Sequence, residues 1–331
     1  MTFMPKLLGA AAALALTAGG ALADPALIFD LGGKFDKSFN ESAFNGAQRW
    51  AEETGGSYNE VELQSDAQRE QALRRFAENG NNPIVMAGFS FSTPLAEVAP
   101  DYPDTNFVII DGVTEAPNVK SIIFSEHEGS YLVGMLAAMA SETGTVGFVG
   151  GMDIPLIRKF GCGYAQGALA ANPDATVIAN MTGTTPAAWN DPVRGSELTL
   201  AQIGQGADVV FAAAGGTGVG VLQTAADEDI YGIGVDANQN YLHPGQILTS
   251  MTKRVDNAVY DAFMAGEDIE TGLTVLGVAE EGVGAAVDEY NEELITEDMS
   301  AALEEARAGI ASGEIEVHDY TSDETCPAVD F

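Results

Sequence analysis

Residues 26–50 read ALIFDLGGKFDKSFNESAFNGAQRW, a stretch that passes from an apolar run to a helical pattern. The apolar run predicts a buried strand and the double glycine at 32–33 predicts a turn. Ser38 followed by Glu41 predicts a capping box at the start of a helix. Asp30 therefore falls at the carboxyl end of the first strand, where doubly wound sheets bind their ligands.

The same succession of strand, turn and helix recurs along most of the chain. The strand candidates are ALIFDL, PIVMAGF, NFVIIDG, VKSIIF, GTVGFVGG, ATVIANMTG, ADVVFAAA and YGIGVD. They are rich in Val and Ile without polar alternation, which is typical of parallel strands buried on both faces. The pattern predicts an α/β fold of two doubly wound lobes. We expect the first lobe at 24–125 plus about 250–285, and the second at 126–249 plus about 286–331.

The N-terminus carries an export pattern. Lys6 precedes the apolar run LLGAAAALALTAGG, and ALA precedes Asp24. This pattern predicts a signal peptide at residues 1–23, cleaved after Ala23, and the apolar run is shorter than the roughly 20 residues of a membrane span. No cysteine stands at the cleavage site, so we expect a soluble periplasmic protein without a lipid anchor.

Composition restricts the partners. The 331 residues include 49 Asp and Glu against 14 Lys and Arg, a formal net charge of −35. Such a field repels nucleic acid and anionic lipid, and an acidic surface explains most of it better than an acidic binding site. Cys162 and Cys326 are the two cysteines. In an oxidising compartment they favour one disulfide, with two unpaired thiols as the alternative.

Three carboxylates follow predicted strands directly: Asp30, Asp111 and Asp236. Each alone could be a helix cap or a solvated loop residue. Together they favour a shared site, because the carboxyl ends of parallel strands converge on one crevice. An ionised carboxylate accepts hydrogen bonds from two adjacent hydroxyls, which suits a neutral polyol such as a ribose.

Aromatic residues and one lysine form a second group of candidates. Phe39, Phe89, Phe91 and Trp189 stand at loops or helix starts, although Phe91 could equally be an ordinary core residue. Rings from two facing lobes would enclose a flat heterocycle. Lys253 follows a strand in a very acidic chain, which favours a carboxylate partner or a ligand hydroxyl over surface solvation.

Other motifs argue against catalysis. VVFAAAGGTGVGV, residues 209–221, lacks the spacing of a phosphate-binding loop and better suits close approach of backbone N–H groups to a ligand. His127, His243 and His318 are not spaced as metal ligands, and we expect them to face solvent or lie in loops. We therefore expect no metal, no cofactor and no enzymatic activity.

Several of these stretches resemble one known family. DLGGKFDKSFNESAFNGAQ is similar to the N-terminal signature D-x-G-x-x-D-D-K-S-F-N of the basic membrane protein (BMP) family, the PnrA-like purine nucleoside receptors of ABC transporters. GFSF, FVIIDG, AAWNDPVRG, ADVVFAAAGGTGVGV, GVDANQ and LTSMTKRVDNAVY follow in the family's order, over most of residues 26–260. Taken together the motifs are specific, although no single one is.

The resemblance implies a type I periplasmic-binding-protein fold with a nucleoside held between the lobes. Phe39 and Trp189 would stack on the base, whose edge Asp30 and Asn40 would read. The residues that would hold the ribose are Asp111, Gly215, Asp236 and Lys253, with Phe89 a weaker candidate for the base pocket. The sequence departs from the family at Asp36-Lys37, where the family has Asp-Asp-Lys, and at Trp189, where a Phe is commoner.

We therefore expect a monomeric receptor that delivers a nucleoside, with purines favoured, to the permease subunits of an ABC importer. A receptor for a sugar or another small polar ligand is one alternative. An exported nucleoside hydrolase is another, but its clustered aspartate motif for Ca²⁺ is absent from the N-terminal stretch. A domain that only senses its ligand is a third.

Overall fold

The computed structural model describes residues 23–331, so the predicted signal peptide lies outside the described residues except for Ala23. The strands are β1 Ala26–Phe29, β2 Asn59–Glu62, β3 Ile84–Ala87, β4 Phe107–Ile110, β5 Val119–Phe124, β6 Thr145–Met152, β7 Thr176–Gly183, β8 Val209–Ala213, β9 Tyr231–Asp236, β10 Ile247–Lys253, β11 Gly272–Leu276 and β12 Val283–Ala285. The α-helices are α1 Phe39–Thr54, α2 Gln68–Glu78, α3 Ser92–Val98, α4 Glu126–Ala140, α5 Pro155–Ala171, α6 Pro192–Ile203, α7 Thr217–Asp227, α8 Val255–Ala265 and α9 Glu297–Ser312.

Two sheets of six strands form the two lobes. The first has the order β11, β5, β4, β3, β1, β2, and all its pairs are parallel. The second has the order β12, β10, β9, β8, β6, β7, and its pairs are parallel except that β12 runs antiparallel to β10. The orders match strand for strand, so β4 and β9 occupy equivalent positions, as do β1 and β6. The predicted α/β fold of two doubly wound lobes is confirmed.

The chain crosses between the lobes three times. It passes from β5 to α4 near Ser125, from β10 to α8 near Arg254, and from β11 back toward β12 near Gly277. Both β10 and β12 belong to the second sheet. Residues 250–253 and 283–285, which the sequence predicted in the first lobe, therefore belong to the second lobe.

The start of α1 differs from the predicted capping box. The Asp36 carboxylate accepts hydrogen bonds from the backbone N–H groups of Ser38 (2.8 Å), Asn40 (3.0 Å) and Glu41 (3.1 Å). Ser38 makes no side-chain cap and donates its hydroxyl to Asp236 in the other lobe. The capping-box prediction is wrong because a contact between the lobes takes the Ser38 hydroxyl and a nearby carboxylate takes its place.

The C-terminal segment, residues 314–331, packs against α5. A disulfide joins Cys162 on α5 to Cys326, a sequence separation of 164 residues. The Gln166 side chain accepts a hydrogen bond from the backbone N–H of His318 (2.8 Å) and donates one to its carbonyl (3.0 Å). The segment is thus fixed to the second lobe at two points. Within residues 23–331, no helix combines the length and the hydrophobicity that crossing a membrane requires.

Candidate ligand-binding site

A cavity between the two lobes collects the carboxyl ends of strands from both sheets. It encloses about 620 Å³ of space, its open mouth included. The nine residues proposed from the sequence all line it: Asp30, Phe39, Asn40, Phe89, Asp111, Trp189, Gly215, Asp236 and Lys253. Other lining residues are Leu31, Asp36, Gly88, Leu156, Ile157, Phe160 and Ala213. Phe91 does not line it and is fully buried in the core of the first lobe.

One strand-end carboxylate is paired with a lysine from the other sheet. Asp111 follows β4 with a left-handed backbone (φ 66°), and its Oδ2 accepts a hydrogen bond from Lys253 Nζ at 2.5 Å. Asp111 Oδ1 is buried and has no hydrogen-bond partner within the described residues. Burial raises the pKa of Asp111 to about 6, against the opposing effect of the Lys253 ammonium. An oxygen of this kind is a ready acceptor for a ligand hydroxyl.

The equivalent position in the second sheet carries another carboxylate. Asp236 ends β9, also with a left-handed backbone (φ 62°), and its Oδ2 accepts the hydroxyl hydrogen bond from Ser38 at 2.5 Å. Burial raises its pKa, while nearby Lys253 and the Ser38 hydroxyl act in the opposite direction. Asp111 and Asp236 therefore face one cavity from opposite lobes.

Lys253 is buried at the end of β10 and holds two carboxylates. Its Nζ lies 2.5 Å from Asp111 Oδ2 and 3.0 Å from Glu126 Oε1. Burial alone would lower the pKa of Lys253, but the surrounding carboxylates raise it, so the side chain stays charged. Its ammonium also lies 5.1 Å from the centre of the Phe39 ring. Within the described part of the chain its ammonium makes one hydrogen bond, to Asp111, so N–H donors remain for a ligand.

Asp30 is held by an arginine from α2. Arg69 is almost fully buried and binds Asp30 Oδ1 through its Nη2, and the backbone N–H of Leu31 donates to the same oxygen at 2.8 Å. Burial raises the pKa of Asp30, and Arg69 opposes that effect. Gly88 lies against the carboxylate, since a Cβ there would approach Asp30 Oδ2 to 2.3 Å.

The Asn40 side chain is engaged within its own lobe. Its Oδ1 accepts a hydrogen bond from the backbone N–H of Asp30 (3.2 Å), and its Nδ2 donates to the carbonyls of Gly33 (3.2 Å) and Asp30 (3.4 Å). Asn40 lines the cavity, but in this structure its amide fixes the turn after β1. The neighbouring Asp36 is buried, and burial raises its pKa to about 7 although three backbone N–H groups oppose the shift.

Aromatic side chains from both lobes supply apolar walls. Phe39 comes from the first turn of α1, and Trp189 comes from a short 3₁₀ turn after β7 in the second lobe. The Trp189 ring packs on Gly151 of β6, where a Cβ would meet the ring at 2.1 Å. Gly215 has a left-handed backbone (φ 56°), and a Cβ there would lie 3.7 Å from the Trp189 ring. The small residues thus set the position of the indole.

Direct hydrogen bonds join the lobes at the rim of the cavity. Gln239 Nε2 donates to the carbonyl of Lys37 in the first lobe at 2.9 Å, while Gln239 Oε1 accepts from the backbone N–H of Val235 within the second lobe at 2.7 Å. The bond to Lys37, together with the Ser38 to Asp236 and Lys253 to Asp111 contacts, holds the lobes together. The structure is therefore a closed form.

Several residues of the site were missed from the sequence. Leu156, Ile157 and Phe160 lie in the first turns of α5 and line the cavity. Pro155 at the start of that helix, directly after β6, was the available signal. His127 was expected to face solvent or lie in a loop, but it lies in a helix and its side chain is only 12% exposed. That prediction is wrong because His127 lies in the first turn of α4, which packs against α5.

Comparisons with known proteins identify a family and relatives of this chain. The family described as ABC transporter substrate-binding protein PnrA-like matches residues 25–321, which confirms the resemblance. The ABC transporter nucleoside-binding protein BmpA of Lactococcus lactis is 30% identical over 318 residues, covering 88% of each chain. An uncharacterized lipoprotein of Pyrococcus horikoshii is 36% identical over 277 residues, covering 78% of this chain and 67% of the relative.

A solved structure shares the whole architecture. An ABC transporter solute-binding protein from Aeropyrum pernix K1 superposes with a TM-score of 0.80 at 31% identity, covering 90% of this chain and 93% of that one. A second solute-binding protein, from Conexibacter woesei, has a TM-score of 0.70 at 24% identity and supports the fold alone. The lobes have the type I periplasmic-binding fold, as predicted.

Proposed function

Because the chain belongs to the PnrA-like family of ABC transporter substrate-binding proteins, we propose that it binds a nucleoside between its lobes. Purine nucleosides are favoured, and the protein delivers them from the periplasm to the permease subunits of an importer. It acts as a monomer, without nucleic acid partners and without turnover of its ligand. The relative from Lactococcus lactis, named a nucleoside-binding protein, supports this assignment.

The observation that carries the proposal is the pair of strand-end carboxylates with a lysine beside them. Asp111 and Asp236 are acceptors on opposite sides of the cavity, and Lys253 is a donor next to Asp111. A ribose offers hydroxyls that both donate and accept, so it satisfies all three groups at once. Charge-assisted hydrogen bonds of this kind contribute roughly 1.5–3 kcal/mol each.

The apolar part of the cavity suits the base. Phe39 and Trp189 offer ring surfaces from opposite lobes, and stacking on them buries a large area at a small entropic cost. Asp30 presents its second carboxylate oxygen, because Arg69 and Leu31 bind the first. We assign the reading of the base edge to Asp30, with Asn40 supporting it through the backbone. We place Phe89 at the border of the base pocket and Gly215 beside the ribose.

Closure couples binding to transport. Ligand groups that contact both lobes bind the closed form better than the open form, so the ligand shifts the population toward closure. The closed form is then the state that the membrane partner recognises. A nucleotide is excluded, because its phosphate would bring negative charge beside Asp111 and Asp236 while Lys253 is already shared between two carboxylates.

Titration calorimetry tests the proposal. The purified protein is unfolded and refolded to remove carried-over ligand, then titrated with adenosine, guanosine, inosine, uridine, cytidine, ribose and AMP, and the cell contents are analysed afterwards. We expect tight binding of nucleosides, purines most tightly, without AMP binding. Binding of ribose alone would make the protein a sugar receptor, and free base in the cell would make it a hydrolase.

A further inference from the structure

A network of ion pairs with alternating charges runs from the cavity to the C-terminal segment. Lys253 Nζ lies 2.5 Å from Asp111 and 3.0 Å from Glu126. Lys159 Nζ lies 2.9 Å from the other oxygen of Glu126 and 3.5 Å from Asp319. The five side chains thus form one connected path across the hinge, from β4 in the first lobe to the segment that follows α9.

Most of this ion-pair network is buried away from water. The side chains of Glu126 and Lys253 are 1% and 2% exposed, and those of Asp111 and Lys159 are both 7% exposed. Burying charges is costly unless each one is paired, and removal of one member leaves its partner uncompensated. Asp111, Lys253, Glu126 and Lys159 sum to zero charge, so each member neutralises its neighbours.

We propose that Glu126 and Lys159 are positioning residues that hold the Lys253 ammonium where a ligand hydroxyl meets it. The inference rests on the proposed nucleoside site. Neither residue lines the cavity, so both act through Lys253.

The geometry explains why both residues are needed. Glu126 gives the ammonium a second carboxylate contact at 3.0 Å beside the 2.5 Å contact with Asp111 Oδ2, and Asp111 Oδ1 has no hydrogen-bond partner within the described residues. Burial favours protonation of Glu126, but the two lysines prevail and lower its pKa, so its charge is retained. Lys159 also donates to the carbonyl of Phe124 at 2.8 Å, which anchors it at the end of β5. Without Lys159, Glu126 would neutralise Lys253 more completely.

The outer end of the ion-pair network, Asp319, is held in place by the C-terminal segment. Asp319 accepts hydrogen bonds from the backbone N–H (2.8 Å) and the hydroxyl (2.7 Å) of Thr321, which hold its carboxylate beside Lys159. His127 Nδ1 lies 3.9 Å from Asp319. The bond between Cys162 and Cys326 and the clamp at Gln166 fix this segment to α5. The segment therefore supports the site, although it contributes no residue to the cavity.

The test compares Glu126→Gln and Asp319→Asn with Glu324→Gln as a matched control. Glu324 is exposed in the same segment and forms no ion pair within residues 23–331. Its replacement therefore removes the same charge without breaking the ion-pair network. Each variant is refolded, checked by circular dichroism and titrated with inosine, 2′-deoxyinosine and 3′-deoxyinosine. The readout is the ratio of inosine affinity to deoxyinosine affinity, which a general loss of stability does not change.

We expect Glu126→Gln to weaken inosine binding by about tenfold or more, which is about the size of one lost charge-assisted contact. The hydroxyl preference should fall by at least about threefold. Asp319→Asn should change both in the same direction by about twofold, because it is partly exposed. Glu324→Gln should match wild type.

Two results overturn the inference while leaving nucleoside binding intact. One is a folded Glu126→Gln variant with an unchanged hydroxyl preference. If that variant does not fold, Asp319→Asn decides instead. An inosine affinity and a hydroxyl preference equal to those of Glu324→Gln would then overturn the inference. Failure of wild type to bind any of the three nucleosides instead contradicts the proposed function itself.

Discussion

Strands β4 and β9 hold equivalent positions in the two sheets and end alike. Each is followed or ended by an aspartate in the left-handed region, Asp111 (φ 66°) and Asp236 (φ 62°), a conformation that Asp tolerates better than most residues. Each accepts a hydrogen bond from the other lobe, from Lys253 and Ser38 respectively. The two carboxylates therefore make equivalent contacts between the lobes in the closed form, Asp111 with a cation and Asp236 with a hydroxyl.

Strands β1 and β6 are a second equivalent pair, and here the symmetry fails. Asp30 after β1 lines the cavity and is bound by the buried Arg69. Asp153 after β6 is bound by the partly exposed Arg158 at 2.7 Å and does not line the cavity. A strand-end carboxylate is thus not a site residue by topology alone, and the two cases differ in burial, since Arg69 is 4% exposed and Arg158 is 27% exposed.

The largest expected effect is that of Lys253→Met. The change leaves Asp111 without its ammonium and Glu126 with Lys159 alone, so it should cost roughly 3–5 kcal/mol of stability. Nucleoside binding should fall below detection in calorimetry. Lys120→Met is the control, because Lys120 lies on β5, the strand of the first sheet that is equivalent to β10, and its ammonium hydrogen-bonds only a backbone carbonyl among the described residues. Retained binding in a folded Lys253→Met variant would contradict the role of the lysine.

Asp236→Ala should weaken nucleoside binding by about 1.5–3 kcal/mol, the range of a charge-assisted hydrogen bond. Asp153→Ala is the matched control, since it removes another strand-end carboxylate of the same lobe outside the cavity. Calorimetry on both variants compares the two sites directly. Equal affinities for Asp236→Ala and wild type would show that the ribose assignment is wrong.

Asp36 should give the free energy of unfolding a distinctive pH dependence. Burial raises its pKa from 3.8 to about 7, so the folded state binds this proton more tightly than the unfolded state. Its contribution to stability is complete below pH 3.8 and is lost as the pH rises through about 7. Relative to Asp36→Asn, wild type should gain up to about 1.4 kcal/mol of unfolding free energy per pH unit on going from pH 7 to pH 5.

Urea unfolding of the refolded, ligand-free protein at each pH measures that difference. Asp191→Asn is the control, because Asp191 caps α6 through the backbone N–H of Arg194 (3.0 Å) at an exposed position. Parallel pH profiles for wild type and Asp36→Asn would show that Asp36 does not titrate in this range.

The smallest expected effect is that of Ser38→Ala. The variant removes the hydroxyl that crosses to Asp236 but leaves the carboxylate in place, so nucleoside binding should weaken by only about 0.5–1.5 kcal/mol. Ser57→Ala is the control, since Ser57 contacts Asp24 at an exposed site within the first lobe. A Ser38→Ala effect as large as that of Asp236→Ala would mean that closure depends on the hydroxyl more than on the carboxylate.

The fold was predictable because its strands are apolar runs of the right length. The exceptions are β10, β11 and β12, which were not among the strand candidates, and β2. The sequence of β2, NEVE at Asn59–Glu62, carries no apolar run because it is an exposed edge strand. The cavity-lining residues at strand ends were equally predictable, since topology brings the carboxyl ends of β1, β4 and β9 together.

The remaining errors depend on contacts between residues distant in sequence. Ser38 carries a local capping signal, but its partner, Asp236, lies 198 residues away. Glu126 looks like an ordinary acidic residue in the first turn of a helix, and only packing places it between Lys159 and Lys253. No local pattern contains this information.

A crystal structure of the refolded protein with guanosine tests the central claim most directly. The account predicts the base between Phe39 and Trp189 with its edge at Asp30, and the ribose hydroxyls within hydrogen-bond distance of Asp111, Asp236 and Lys253. Guanosine bound outside the cavity, or with its ribose turned away from the two strand-end carboxylates, would contradict it.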